Sequence, residues 1–123
     1  MAVKVTYFNT EGYGEPIRLS LKLAGVDFED KKVLQDEWAT LKPQMPNGAL
    51  PILEVGDVVM TQTHAIVRYI GRKYGLLPTD PEKQYDCDQI IENCMDVYKS
   101  LSKILYVKMF PEKYGFENCS EED

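Results

Sequence analysis

The stretch Gly48–Thr63, with the sequence GALPILEVGDVVMTQT, decides the fold of this chain. Within it, Ile52–Val55 and Val58–Met60 are short runs of β-prone residues, and the Gly-Asp pair between them is typical of a two-residue hairpin turn. After the second run the apolar residues follow a helical period, so a helix is predicted to begin at Gln62-Thr63. The stretch therefore predicts a strand, a hairpin, a second strand and a helix start in direct succession.

The predicted helix start is a place where an anion is stabilised. The first N–H groups of a helix have no partner within the helix, and the positive end of the helix dipole lies there, which favours a carboxylate or a phosphate. The Gln62 amide and the Thr63 hydroxyl are candidate side-chain partners for such a group. The alternative is that both polar residues only cap the helix.

Composition restricts the class of protein. The chain has 123 residues, of which 44% are hydrophobic, so one domain, or one small domain with part of another, is expected. The apolar runs are too short to span a membrane, and Met1–Val5 leads into a strand pattern rather than a signal peptide, which predicts a soluble cytoplasmic protein. A net charge of −6 with scattered basic residues argues against nucleic acids and anionic membranes as partners. Three cysteines without a Cys-x-x-Cys pair predict no disulfide framework, and no metal is expected.

The rest of the first 76 residues continues the alternation of strands and helices. We expect a strand at Val3–Phe8, a helix from Glu15 to about Ala24 and a second strand near Phe28–Val33. A short helix or turn is expected at Asp36–Lys42, followed by a loop punctuated by prolines. The order β-α-β-loop-β-β-α predicts an α/β unit with a mixed sheet.

A different pattern follows this unit. Apolar residues recur at helical spacing from Cys87 to Leu105, over roughly five turns, which predicts a long amphipathic helix with Asp96 on its polar side. The predicted boundaries are an α/β domain at 1–76, a linker at 77–84 and the start of an all-helical domain at 85–123. That second domain is expected to be incomplete.

Several of these segments together resemble the cytosolic glutathione transferases. The segments are Val5–Asn9, Gly14–Leu19, Ala24–Val26, Trp38 with Leu41-Lys42, Leu50–Val55, Gln62–Ile66 and Arg68–Ile70. The match runs in order from residue 3 to residue 105, and the sigma class is the closest fit. The resemblance implies a thioredoxin-like N-terminal domain with a mixed four-stranded sheet, followed by the first long helix of an incomplete all-α domain.

The resemblance also implies a glutathione site and a reaction. Tyr7 is implied to be the catalytic tyrosine, and Pro51 to follow a cis peptide bond. The residues implied to contact glutathione are Tyr7 and Phe8, Trp38 and Lys42 at the glycine carboxylate, Leu50 and Pro51 at the cysteinyl part, Gln62 and Thr63 at the γ-glutamyl end, and Asp96 from a partner subunit. The implied reaction joins the glutathione thiolate to a hydrophobic electrophile in a detoxification step, with glutathione as co-substrate and a homodimer as the assembly.

Three functions are consistent with this resemblance: a glutathione transferase, a glutathione-dependent prostaglandin D isomerase, and a non-catalytic binding or structural module of the same fold. Taken singly, Tyr7 and Trp38 are also typical packing residues, while Lys42 and Asp96 are also typical solvated charges. At position 13 this chain departs from the pattern of the family. Sigma-class enzymes commonly carry an arginine there, which helps organise the catalytic tyrosine, whereas this chain has Tyr13. Weaker stabilisation of the thiolate is therefore expected.

Overall fold

The computed structural model describes residues 1–114, which form two compact units, one of Met1–Pro78 and one beginning at Thr79. The first unit contains β1 (Val3–Phe8), α1 (Glu15–Leu23), β2 (Glu29–Val33), α2 (Gln35–Leu41), β3 (Ile52–Val55), β4 (Val58–Thr61) and α3 (Thr63–Lys73). The second contains α4 (Pro81–Met109) and α5 (Pro111–Tyr114). The predicted order of elements in the first unit is confirmed, and the part of the predicted helical domain at 115–123 lies outside the described residues.

The four strands form one mixed sheet in the order β2-β1-β3-β4. β1 is parallel to β2 and antiparallel to β3, and β3 pairs with β4 as a hairpin. Side chains alternate along a strand, so Val3, Val5 and Tyr7 lie on one face of β1. The thioredoxin-like arrangement inferred from the sequence is confirmed.

One hydrophobic core holds the first unit together. It consists of Val3, Val5, Ile17, Leu21, Leu53, Val55, Ile66 and Ile70. Since these residues come from the sheet, α1 and α3, both helices pack against the same face of the sheet and contact each other. Burying each of these aliphatic side chains contributes about 1.5 to 3 kcal/mol to the free energy of folding. Because β1 and α3 both belong to this core, their positions relative to each other are fixed.

Several boundaries differ from the predicted ones, among them the three that follow. Ala24 is the C-cap of α1 rather than its last residue, because Gly25 takes a φ of +68° and ends the helix. Lys42–Gln44 forms a 3-10 helix where a loop was predicted after Lys42. The helix α4 already begins at Pro81, with Asp80 accepting a hydrogen bond from the Lys83 N–H, so residues 81–84 of the predicted linker are helical.

The long helix α4 carries its apolar residues on the surface of the second unit. Ile90, Val97 and Ile104 are 63%, 60% and 67% exposed, and no residue of this helix, which is described along its whole length, is buried. In the part of the chain that the structure describes, no helix is both long and apolar enough to cross a membrane. Ile90, Val97 and Ile104 therefore belong to an exposed apolar stripe on an otherwise polar helix.

Candidate functional site

Tyr7 is the centre of the candidate site. It lies next to the last residue of β1 and is 6% exposed. Its hydroxyl oxygen accepts a hydrogen bond of 3.0 Å from the backbone N–H of Tyr13. This bond uses the phenolic oxygen as an acceptor, so it does not compete for the phenolic hydrogen.

The turn between β1 and α1 fits closely around the Tyr7 ring. This turn, the 3-10 helix Gly12–Gly14, is called the glycine turn below. A Cβ atom on Gly12 would lie 2.5 Å from the Tyr7 hydroxyl oxygen, and one on Gly14 would overlap the aromatic ring. Gly12 also has a φ of +35°, which favours glycine. The glycines are therefore needed to let the backbone reach the phenol.

Thr63, the first residue of α3, is connected to Tyr7 through the backbone of Tyr13. The Thr63 hydroxyl donates a hydrogen bond of 3.0 Å to the Tyr13 carbonyl oxygen, and Thr63 is 6% exposed. The N–H and the carbonyl of Tyr13 thus bond to one side chain each. These two bonds bring the start of α3 and the phenol together, and the Thr63 hydrogen is used within the protein.

Gln62 precedes α3 in a conformation that is rare for a residue with a side chain. Its φ is +73°, the only positive φ of a non-glycine residue among those described, and its carbonyl accepts the first helical bond, from Ile66. The Gln62 side chain, which is exposed, makes no capping hydrogen bond within the described part of the chain. The explanation that Gln62 only caps the helix therefore does not hold, and a strained backbone of this kind is typical of functional sites.

The Leu50–Pro51 peptide bond is cis and leads directly into β3. The last residue pair of β1 and β3 is Thr6 with Ile52. Pro51 directly precedes Ile52, as Tyr7 directly follows Thr6. Leu50 and Pro51 therefore lie at the same end of the sheet as the phenol.

Trp38 lies on α2, and Lys42 comes directly after the last residue of that helix. The Trp38 ring meets the Phe8 ring edge-on, with the centroids 5.2 Å apart, and Phe8 in turn lies edge-on to Tyr7 at 5.4 Å. The aromatic contacts thus place α2 beside the end of β1. Lys42 is exposed, and its side chain extends toward Gly48.

The start of α2 is held by an acidic residue. The Leu34 N–H donates a hydrogen bond of 2.9 Å to Glu37, and the Lys31 ammonium lies 3.5 Å from the same carboxylate. The hydrogen bond from the Leu34 backbone, followed by the charge of Lys31, holds the pKa of Glu37 below its ordinary value of 4.5. The ionised form of Glu37 therefore stabilises the start of the helix that carries Trp38.

Asp96, which the resemblance placed at a partner subunit's glutathione, lies in the middle of α4 and is exposed. It belongs to the second unit, whereas the other predicted site residues all belong to the first. Its role stays a prediction. The residues described also contain no group of three or more His, Cys, Asp or Glu side chains that could hold a metal ion.

Arg18 is a buried residue near the site to which the sequence assigned no role. It is 6% exposed, and its guanidinium carbon lies 5.8 Å from the centroid of the Tyr7 ring. A signal was present in the sequence, because Arg18 precedes Leu21 by three residues and so lies at the edge of the apolar face of α1. A charged residue at such a position is normally solvated, which is why spacing alone did not single it out.

Comparisons with known proteins agree on one family. The profile described as "Glutathione S-transferase, N-terminal domain" matches residues 3–72. Glutathione S-transferase 1 of Ascaris suum is 42% identical over 119 residues, which is 97% of this chain and 55% of that protein. The chain thus spans about half the length of such relatives.

Solved structures show the same similarity. The glutathione S-transferase from Ascaris lumbricoides is 38% identical with a TM-score of 0.81, covering 99% of this chain and 57% of that one. A structure titled prostaglandin synthase D, from Nilaparvata lugens, is 39% identical with a TM-score of 0.79, covering 84% of this chain and 52% of that one. These relatives support the glutathione transferases as the family, and they do not assign the sigma class.

Proposed function

The chain belongs to the glutathione S-transferase N-terminal domain family, and from this premise we propose that it binds glutathione at the Tyr7 site and activates its thiol. In the whole protein, the proposed reaction transfers the glutathione thiolate to a hydrophobic electrophile. Glutathione is the co-substrate, and no metal takes part in the proposed step.

The chemical need is ionisation of the thiol. A thiol with an ordinary pKa of about 8.5 is only about 3% ionised at pH 7, whereas the thiolate is the nucleophile. A phenol that donates a hydrogen bond to the sulfur favours the ionised form, and lowering the pKa of the thiol by about two units makes most of it reactive. We assign this donation to Tyr7.

The observation that carries the proposal is the connection from Tyr7 through Tyr13 to Thr63. It fixes the phenol relative to the start of α3, where an anionic group is stabilised. A ligand with a thiol in its middle and a carboxylate near one end fits this arrangement. We assign the γ-glutamyl end of glutathione to Gln62 and Thr63, where the Thr63 oxygen accepts from the ammonium group of that end because its own hydrogen is already donated.

The other end of glutathione is assigned to α2 and the turn after it. Lys42 is an exposed cation that pairs with the glycine carboxylate, and Trp38 together with Phe8 provides the adjoining aromatic surface. The backbone of Leu50, before Pro51, faces the cysteinyl part. Asp96 is assigned to the γ-glutamyl amine of glutathione in a partner subunit, so this part of the proposal requires a cytoplasmic homodimer.

Titration of the full 123-residue chain with glutathione tests the proposal, with ultraviolet absorbance of the thiolate as the readout. We expect saturable binding with a thiolate signal at neutral pH. In Tyr7→Phe we expect nearly unchanged affinity, loss of the thiolate signal and, in any turnover assay, a rate lower by about one to three orders of magnitude. An unchanged thiolate signal in Tyr7→Phe would remove Tyr7 from this role.

A second candidate function, isomerisation of a prostaglandin endoperoxide with glutathione, is favoured by the similarity to the protein titled prostaglandin synthase D. The two functions share thiol activation and differ in whether glutathione is consumed. Measuring glutathione loss against product formation separates them, since a transferase consumes one glutathione per product and an isomerase returns it. Glutathione binding without a thiolate signal supports the third possibility, a non-catalytic module.

A further inference from the structure

Arg18 is a buried cation that holds four groups at once. Its Nε donates to Asp30 at 2.9 Å, and its Nη1 donates to the Thr10 carbonyl at 2.9 Å and to Glu15 at 3.2 Å. Its Nη2 donates to the Phe8 carbonyl at 3.4 Å. The guanidinium group thus joins β2 and α1 to the chain segment that leaves β1.

Two of these four partners belong to the segment that immediately follows Tyr7. Phe8 is the next residue in the chain, and Thr10 lies between it and the glycine turn. The same guanidinium lies 5.8 Å from the Tyr7 ring centroid, within the distance at which a cation interacts with an aromatic face. Arg18 therefore restrains the phenol in two ways, through the backbone after it and through its ring.

The bonds of Arg18 are not explained well by a contribution to the stability of the fold alone. A buried ion pair gains little net stability, because the attraction is largely offset by the loss of hydration. A network that is costly to bury and ends on a reactive side chain is more typical of a functional site. Of the charged side chains around Arg18, the carboxylates of Asp30 and Glu15 pair with it, and those of Glu11, Lys22 and Lys32 line the same pocket.

We propose that Arg18 is a positioning residue for Tyr7, and that it keeps the hydroxyl at the place where the Tyr13 N–H and a ligand sulfur meet. This role rests on the proposed function, in which Tyr7 donates to the glutathione sulfur. The cation over the ring and the Tyr13 N–H at the oxygen both favour the phenolate. A phenol held in that way is a stronger hydrogen-bond donor to a thiolate. Arg18 thereby supplies an organising charge in a chain that carries Tyr13 at the position of the family's arginine.

The test compares Arg18→Met, which removes charge and hydrogen bonds, with Arg18→Lys, which keeps the charge but not the planar fork. Lys22→Met is the matched control, because Lys22 is an exposed cation on the same helix and lines the same surface pocket of about 310 Å³ as Arg18. The first readout is the ultraviolet titration of Tyr7 without ligand, isolated from the other tyrosines by subtracting Tyr7→Phe. The second is the ionisation of the bound glutathione thiol.

We expect the Tyr7 titration midpoint to move to higher pH in Arg18→Met, to a smaller extent in Arg18→Lys, and not at all in Lys22→Met. The ionisation constant of the bound thiol is expected to fall about fivefold in Arg18→Met. A folded Arg18→Met with an unmoved Tyr7 midpoint overturns the proposal, and if that variant does not fold, Arg18→Lys decides by the same criterion. The first readout needs no glutathione, so a wild-type chain that binds none refutes the proposed function while leaving this test intact.

Discussion

The Thr63 hydroxyl donates a hydrogen bond to the Tyr13 carbonyl oxygen at 3.0 Å, across fifty positions of sequence. It joins the start of α3 to the glycine turn, whose other bond, from the Tyr13 N–H, ends on the Tyr7 hydroxyl. The proposed binding site for one end of glutathione and the proposed donor to its sulfur are therefore mechanically connected. This relationship determines the first prediction.

Replacing Thr63 with valine should destabilise the protein by about 1 to 3 kcal/mol, because it leaves the partly buried Tyr13 carbonyl without its donor. Thr63→Ser keeps the hydroxyl and should stay within about 1 kcal/mol of the wild type. Urea unfolding of both variants measures the difference. Equal stability of the valine and serine variants would show that the bond does not hold the turn.

The second prediction concerns Gly14→Ala. The φ of Gly14 is −80°, so alanine fits the backbone, but the added Cβ would overlap the Tyr7 ring. We expect Tyr7 to shift and the thiolate signal of bound glutathione to fall about tenfold or more. Gly25→Ala is the control, because nothing lies near its Cβ, although its φ of +68° makes alanine costly by about 1 kcal/mol. A thiolate signal that falls equally in both variants would mean that lost stability, not displacement of Tyr7, is the cause.

Gln62→Gly is expected to separate stability from binding. The φ of +73° strains a residue with a side chain, and glycine relieves that strain, so the free energy of unfolding should rise by up to about 1 kcal/mol. Glutathione affinity should fall, because the side-chain amide is lost. Unfolding measured with and without glutathione tests both effects, and a variant that is less stable without ligand would contradict the strain argument.

A pH dependence follows from Glu37. Its pKa is lowered in the folded protein, first by the Leu34 N–H and then by Lys31, so its contribution to stability is complete above pH 4.5 and is lost as the pH falls through the lower, folded pKa. Trp38, the only tryptophan, lies next to it and reports this step by its fluorescence. In Glu37→Gln the acid-induced fluorescence step should disappear. A step that persists unchanged must come from another carboxylate.

The exposed stripe of α4 predicts self-association of the 123-residue chain. Ile90, Val97 and Ile104 are each at least 60% exposed, and a contiguous apolar surface of this kind favours burial against a second chain. Sedimentation should show dimers or larger species that shift toward the monomer in Ile104→Glu. Lys99→Glu, on the polar side of the same helix, introduces the same residue and should leave the distribution unchanged. A compact wild-type monomer at micromolar concentration would refute this prediction.

Periodicity identified most of the fold, because the buried elements of the first unit have short, regular patterns. Ile52–Val55 and Val58–Thr61 are short runs of β-prone residues on either side of a Gly-Asp turn, and only the last residue of the second strand differs from the predicted end. The ends of α1 and α4 were less accurate, since they depend on cap geometry at Ala24 and Asp80 rather than on apolar spacing.

The site was predicted less completely than the fold, for a physical reason. Thr63 was recognised as a candidate from its position at the start of a helix, whereas Tyr7 was singled out only by the resemblance to the glutathione transferases. Their connection through Tyr13 was not predicted, because it uses backbone groups, which carry no signal in the sequence. Arg18 was missed because three of the four partners that compensate for its burial lie 8 to 12 positions away in the sequence, and a local pattern does not reveal them.

The alternation of side chains along β1 limits how this strand can change in length. Tyr7 and Phe8 lie on opposite faces, and the pairing with β2 and β3 holds β1 from both sides. Inserting or deleting one residue within the strand would exchange their places, bringing a ring without a hydroxyl to the Tyr13 N–H. Related genes should therefore keep the number of residues from Val3 to Tyr7 constant.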